Sequence, residues 1–101
     1  MMKTSIQEQD GKFAVTLSGE LDTAAARETE QALQPLLDSE GKPVIIDCAS
    51  LEYISSSGLR ILLGILKHCK ANGSGVVLKD VRDEIREVLN LTGFVSLFDF
   101  E

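Results

Sequence analysis

The chain has no tryptophan, a single tyrosine, two cysteines, two prolines and one histidine among its 101 residues. Its 10 basic residues are outnumbered by 16 acidic ones, giving a formal net charge of −6. Nucleic-acid readers need a basic footprint, and no Lys/Arg cluster with interleaved aromatics occurs, so direct nucleic-acid binding is not expected. An acidic surface instead favours solubility and can steer the protein to a basic partner. Cys48 and Cys69 lack CxxC spacing and fall in segments that read as strand and helix interior, so they are expected to be buried thiols with no metal or redox part. No apolar run follows Met1-Met2-Lys3-Thr4, so neither a secretory signal nor a membrane insertion is expected, and the anticipated location is a reducing cytoplasm.

What is present is a 44% apolar content, enough for the core of one domain spanning residues 1–101. Thr4 to Gln9 and Lys12 to Ser18 flank Asp10-Gly11, a pair suited to a tight hairpin because both residues tolerate positive φ. Phe13, Val15 and Leu17 alternate with Ala14 and Thr16, which gives the second strand one strongly apolar face. Gly19 to Thr23 breaks that alternation and leads into a helix capped by Asp22 or Thr23. Its expected stripe is Ala25, Ala32, Leu33, Leu36 and Leu37, with a kink or short second turn at Pro35, followed by a loop from Ser39 to Pro43.

Val44 to Cys48 is a run that reads as a parallel interior strand covered on both faces, and Gly75 to Lys79 repeats the pattern. A helix of about Ser57 to Lys70 lies between them, so the three form a strand–helix–strand crossover. A last helix begins around Asp80 to Glu84, with Ile85, Val88 and Leu89 on its core side and Gly93 at its end. Phe94 to Glu101 reads equally as a strand or a turn. The expected fold is α/β: a mixed sheet of four to five strands with an N-terminal hairpin, parallel central strands and three to four helices.

Function is expected at Ser55-Ser56-Ser57-Gly58-Leu59, where three hydroxyls meet the start of the long helix. Free N–H groups and the helix dipole there stabilise an anion, including a phosphate attached to a serine. At ~100° per residue, Leu59, Leu62, Leu63, Leu66 and Cys69 lie opposite Ser57, while Ile61, Gly64 and His68 fall on its own side with Ile65 at the border. Two readings stay open for that side. Ile61, Gly64 and Ile65 form a docking surface beside the serines, or the isoleucines pack under a neighbouring helix.

Catalysis finds little support. His68 lies roughly 16 Å along the helix axis from Ser57, too far to serve as its base. Ile54 to Gly58 lacks the first glycine of a G-x-S-x-G elbow. Gly73 and Gly75 precede no Gly-Lys-Ser/Thr, so they form no phosphate loop. Asp22, Asp47 and Asp80 could gather at the strand ends as a cation site, but capping explains Asp22 and Asp80 better. No cofactor, no metal and no enzymatic activity are therefore expected.

Gly19-Glu20-Leu21-Asp22, the strand Val44 to Cys48, Ile54 to Leu59, and Val88 to Phe94 together resemble the STAS domain, shared by sulphate transporters and bacterial anti-sigma factor antagonists. The match follows the order and spacing of almost the whole chain. The resemblance implies an anti-sigma factor antagonist that binds an anti-sigma factor with serine kinase activity, thereby freeing a sigma factor. It implies phosphorylation at Ser57 as the off-switch and a serine phosphatase as the reset. Asp22 matches the family's loop aspartate, and Ser56, Gly58, Arg60, Ile61, Gly64 and Ile65 would surround the switch. The sequence departs from the family at Ser55, where Asp is usual, which removes a carboxylate beside the acceptor. A phosphate at this helix start meets the dipole and Arg60, so it should alter the interface without unfolding the chain. The same resemblance also allows a structural or regulatory subunit of a lipid or solute transporter ATPase. A free-standing domain of this kind is expected to be a monomer or weak dimer.

Overall fold

A computed structural model describes residues 2–38 and 42–101. The first two strands, β1 (Lys3–Gln9) and β2 (Lys12–Leu21), form the N-terminal hairpin, with Asp10 and Gly11 both at positive φ in its turn. Helices α1 (Thr23–Ala32) and α2 (Gln34–Leu37) lead to β3 (Val44–Ile54), α3 (Ser56–Ala71), β4 (Val76–Lys79) and α4 (Asp83–Leu91). A 3-10 turn at Val95–Leu97 and the short β5 (Asp99–Phe100) close the chain. The five strands lie in the order β1-β2-β3-β4-β5; the hairpin is antiparallel, and every later pairing is parallel. The undecided C-terminal segment is therefore both a turn and an edge strand.

Burial in the central strands alternates. Phe13, Val15, Leu17, Val44, Ile46, Cys48, Val76 and Leu78 are buried, whereas Ala14, Ile45, Asp47 and Val77 are only partly so. The helices deliver Leu33, Leu36, Leu59, Leu62, Ile65, Leu66, Ile85 and Leu89 to the same core cluster. One sheet face is thus packed and the other is partly open, which corrects the expectation that Val44 to Cys48 is covered on both faces. An unbroken β-branched run carries no period, so the sequence could not separate its two sides.

Two strands are longer than expected. β2 continues through Gly19-Glu20 to Leu21, and β3 continues past Cys48 to Ile54. Their far ends pair Ser18 with Ser50, Gly19 with Leu51, Glu20 with Tyr53 and Leu21 with Ile54, across two register shifts. Those irregularities break the alternation that sequence reading depends on. The connection from β3 into α3 consequently shrinks to Ser55.

In α1 the buried residues are Ala26 and Thr29, followed by Leu33 and Leu36, whereas Ala32 is exposed and Ala25 and Leu37 are partly buried. The stripe is rotated from the expected one within α1; beyond it, α1 stops before Pro35 and α2 restarts the chain with that proline in its first turn. Part of the expected loop from Ser39 to Pro43, residues 39–41, lies outside the described residues. At the other end Asp80 does not cap α4: it sits at φ +54°, its N–H donating to the Glu101 carbonyl (3.2 Å), and the helix begins after Arg82. Gly93 closes α4 at φ +77°, with its N–H donating to the Asn90 carbonyl at 3.1 Å and the Phe94 N–H to the Leu89 carbonyl at 2.9 Å.

Candidate functional site

The ends of β2 and β3 fix the start of α3. The Ser55 N–H donates to the Leu21 carbonyl at 2.8 Å, which ties the residue before the helix to the last residue of the neighbouring strand. Ser55 then acts as the N-cap: its Oγ accepts from the Gly58 N–H at 3.2 Å, and its carbonyl accepts from the Leu59 N–H at 2.9 Å. Ser55 as a whole is 8% exposed. A buried hydroxyl already serving as a cap is unsuited to reaction with an external partner.

Gly58 is required by close packing. A Cβ there would stand 2.7 Å from Leu21 Cγ and 2.9 Å from Ile54 Cγ1, both on buried side chains. The residue after Leu21, Asp22, caps α1 by accepting the Ala25 N–H on Oδ1 at 2.8 Å. Asp22 therefore anchors the helix that lies alongside α3. Asp47 is likewise engaged, accepting from the Ala49 N–H at 2.9 Å. Among the described residues no three metal-ligating side chains form a cluster, so Asp22, Asp47 and Asp80 are not gathered.

The remaining serines open in different directions. Ser56, the first residue of α3, is exposed. Ser57 is partly buried and lines a groove of about 270 Å³ between α1 and α3, with Thr23, Ala26, Arg27, Glu30, Arg60 and Ile61. Ile61 is partly buried, whereas Gly64 is exposed, and nothing lies within 4 Å of where its Cβ would be. Ile65 is 1% exposed and belongs to the core. This corrects the expected docking surface: the sheet covers α3 on one side and α1 and α2 on another, so the border position Ile65 is enclosed while Ile61 and Gly64 keep access to solvent.

Two features of the site escaped sequence reading. Leu21 is the hidden support, both through its carbonyl and as the wall against Gly58, and its place at the end of an irregular strand gave no signal. Arg27 faces the same groove as Ser57, which follows only from the packing of α1 on α3. The thiols lie away from this region of chemistry. Burial, and secondarily the Asp47 carboxylate, pushes Cys48 up to about 12, and burial also raises Cys69 against a hydrogen bond from Ser74 that lowers it. Both thiols stay protonated at neutral pH and are poor nucleophiles.

The STAS domain family model matches residues 3–101. The chain belongs to the STAS domain family. It is 33% identical over 97 residues to BtrV of Bordetella bronchiseptica, named as a candidate anti-sigma factor antagonist, covering 96% of this chain and 84% of that protein. It is 28% identical to the anti-sigma-B factor antagonist of Staphylococcus aureus, covering 88% of this chain and 82% of the relative. The solved structure of the anti-sigma factor antagonist SpoIIAA in its unphosphorylated form shares the fold at TM-score 0.82 and 18% identity, over 98% of this chain and 88% of that one. SpoIIAA in its phosphorylated form matches at TM-score 0.74 and 19% identity, covering 98% of this chain and 91% of that chain. Among the described residues no helix is long and apolar enough to cross a membrane.

Proposed function

We propose that this STAS protein is an anti-sigma factor antagonist whose binding is switched by phosphorylation in the first turn of α3. One relative named as an anti-sigma factor antagonist and another named as a candidate for that role, each covered over most of its length, support the antagonist reading. The existence of SpoIIAA in both an unphosphorylated and a phosphorylated form supports a phosphate switch. The observation that carries the site is the contrast among three adjacent serines: Ser55 is buried and capping, Ser57 is partly buried in a groove, and Ser56 is exposed. A kinase needs an accessible hydroxyl, and Ser56 is the one of the three that is exposed, so the acceptor in this reading is Ser56, one residue before the Ser57 that the family resemblance implied.

In this reading the anti-sigma factor is itself a serine kinase. Ser56 Oγ attacks the γ-phosphorus of its bound nucleoside triphosphate. The bond to the β–γ bridging oxygen breaks, the nucleoside diphosphate leaves, and the serine proton passes to a base of the kinase. The product carries about −1.5 to −2 charges and three acceptor oxygens at the helix start, where the dipole tolerates them. The fold is preserved, whereas a partner surface shaped for a small hydroxyl beside Arg60 and Ile61 meets a hydrated dianion. A serine phosphatase restores binding by hydrolysing the ester to serine and inorganic phosphate.

The test is capture of the native partner followed by intact mass measurement and site mapping. A kinase-like partner with one added phosphate that is lost in Ser56→Ala and kept in Ser57→Ala is the expected result. Phosphate retained in Ser56→Ala but lost in Ser57→Ala returns the switch to Ser57. A transporter ATPase as partner, with no phosphate added, overturns the reading.

A further inference from the structure

We propose that the Arg60 guanidinium pairs with the phosphate carried by Ser56 and that this draws it away from the groove shared with Arg27. The inference rests on the phosphorylation reading above. Arg60 stands four residues after Ser56, the spacing that brings two side chains together on a helix surface. It is exposed and lines two grooves on either side of the helix start. One is the α1–α3 groove, where it faces Ser57 beside Arg27 and Glu30. The other, about 290 Å³, is bounded by Ser56, Leu59, Leu63, Thr92 and Phe94, and among the described residues Arg60 is its only charged lining residue.

The Arg60 guanidinium is uncommitted. Among the described residues the one ion pair joins Lys42 to Glu8, and the Arg60 side chain makes no hydrogen bond there. Thr92 offers no rival donor, because its hydroxyl already donates to the Val88 carbonyl at 2.8 Å. A phosphate on Ser56 supplies oxygens that a planar guanidinium can meet with two parallel N–H groups. An anion placed N-terminal to a cation at this spacing is also the favoured orientation for a helical pair. In a chain with a net charge of −6 this nearby cation matters, since most of the surface repels the added charge.

The consequence extends beyond Ser56. With Arg60 in place, the α1–α3 groove holds two guanidiniums against the single carboxylate of Glu30; with Arg60 withdrawn, the charges balance. Phosphorylation therefore changes two adjoining surfaces, adding a bulky anion to one and removing a cation from the other.

Phosphoserine incorporated at position 56 during synthesis of the full chain makes the test independent of any kinase. A failed switch is read in the partner and mass experiment above, whereas failure here removes only the role of Arg60. The phosphate is titrated by phosphorus-31 NMR in the parent chain and in Arg60→Ala, Arg60→Lys and Arg27→Ala variants. Arg60→Ala should raise the second phosphate pKa by about 0.5 pH unit, and Arg60→Lys should recover part of the shift. Arg27→Ala should leave it unmoved, and about 0.5 M salt should erase the Arg60 effect. The Arg60 Nε–H resonance, identified by its loss in Arg60→Ala, should move with the phosphate titration. Equal pKa values in the parent chain and Arg60→Ala overturn the proposal, as does an equal shift in Arg27→Ala, which would report a general field rather than one receiving side chain.

Discussion

The first turn of α3 and its middle are built in opposite ways, and a glycine marks each. At Gly58 an added methyl group would press on Leu21 and Ile54, the residues that end β2 and β3. At Gly64 it would meet nothing within 4 Å. The first glycine seats the helix on the strand ends, and with Ser55 bonded to Leu21 it holds Ser56 at a fixed height above the sheet. The second leaves backbone open to solvent on the face that also carries Ile61. A rigid platform presenting one exposed hydroxyl, that of Ser56, suits a switch that must change an interface without changing the fold.

The largest expected effect separates the two regions by partner binding. Ser56→Asp should weaken binding of the anti-sigma partner by on the order of a hundredfold, about 2.7 kcal/mol, with no loss of thermal stability. Gly64→Asp places the same charge in the middle of the helix and should cost less than about tenfold. Isothermal titration of both variants decides the matter. Equal losses would move the interface along the helix and dissolve the distinction.

Stability tests the same contrast from the inside. Gly58→Ala should cost about 2 kcal/mol: overpacking of roughly 3 kcal/mol, offset by about 1 kcal/mol from the better helix propensity of alanine. The neighbours struck are branched side chains in a core cluster, which cannot swing aside as a flexible tip would. Urea unfolding measures the change, and a midpoint equal to that of the parent chain would show that the strand ends yield more easily than their packing indicates.

The sequence made the hairpin, the crossover around α3, the break at Pro35 and the close of α4 at Gly93 legible, because each rests on local chemistry or a clear period. The extensions of β2 and β3 stayed hidden because register shifts erase alternation. The serine cluster was legible as a place but not as an assignment of roles. Ser55, Ser56 and Ser57 differ only in what surrounds them: Leu21 arrives from β2, and α1 covers Ser57. The same tertiary cause enclosed Ile65, which a helical wheel could only set at a boundary. Asp80 illustrates the converse, since an aspartate before an acidic run reads as a cap but occupies a left-handed turn instead.

The cap of α3 gives a smaller effect. Ser55→Ala removes the acceptor of the Gly58 N–H at a buried position and should cost about 1 kcal/mol, seen as a lower urea midpoint with an unchanged slope. Arg82 provides the comparison, because as the N-cap of α4 it makes no side-chain cap bond. Its exposed side chain donates instead to the Ala49 carbonyl at 3.0 Å, so Arg82→Ala should cost less than Ser55→Ala. A reversed order would mean that the Ser55 hydroxyl is dispensable to the platform.

The smallest effect has the opposite sign. Gly64→Ala places a methyl group in open space within a helix, where alanine is favoured over glycine by about 0.5–1 kcal/mol, so the variant should be more stable than the parent chain. The same substitution at two positions of one helix should therefore destabilise at Gly58 and stabilise at Gly64, and thermal unfolding measures both. Partner binding adds the sharper reading. If Gly64→Ala is more stable but binds more weakly, the open backbone at Gly64 is a contact point and the interface runs from Ser56 past Ile61. If it is more stable and binds as before, the functional surface is confined to the first turns of α3, where the strand ends hold the serines.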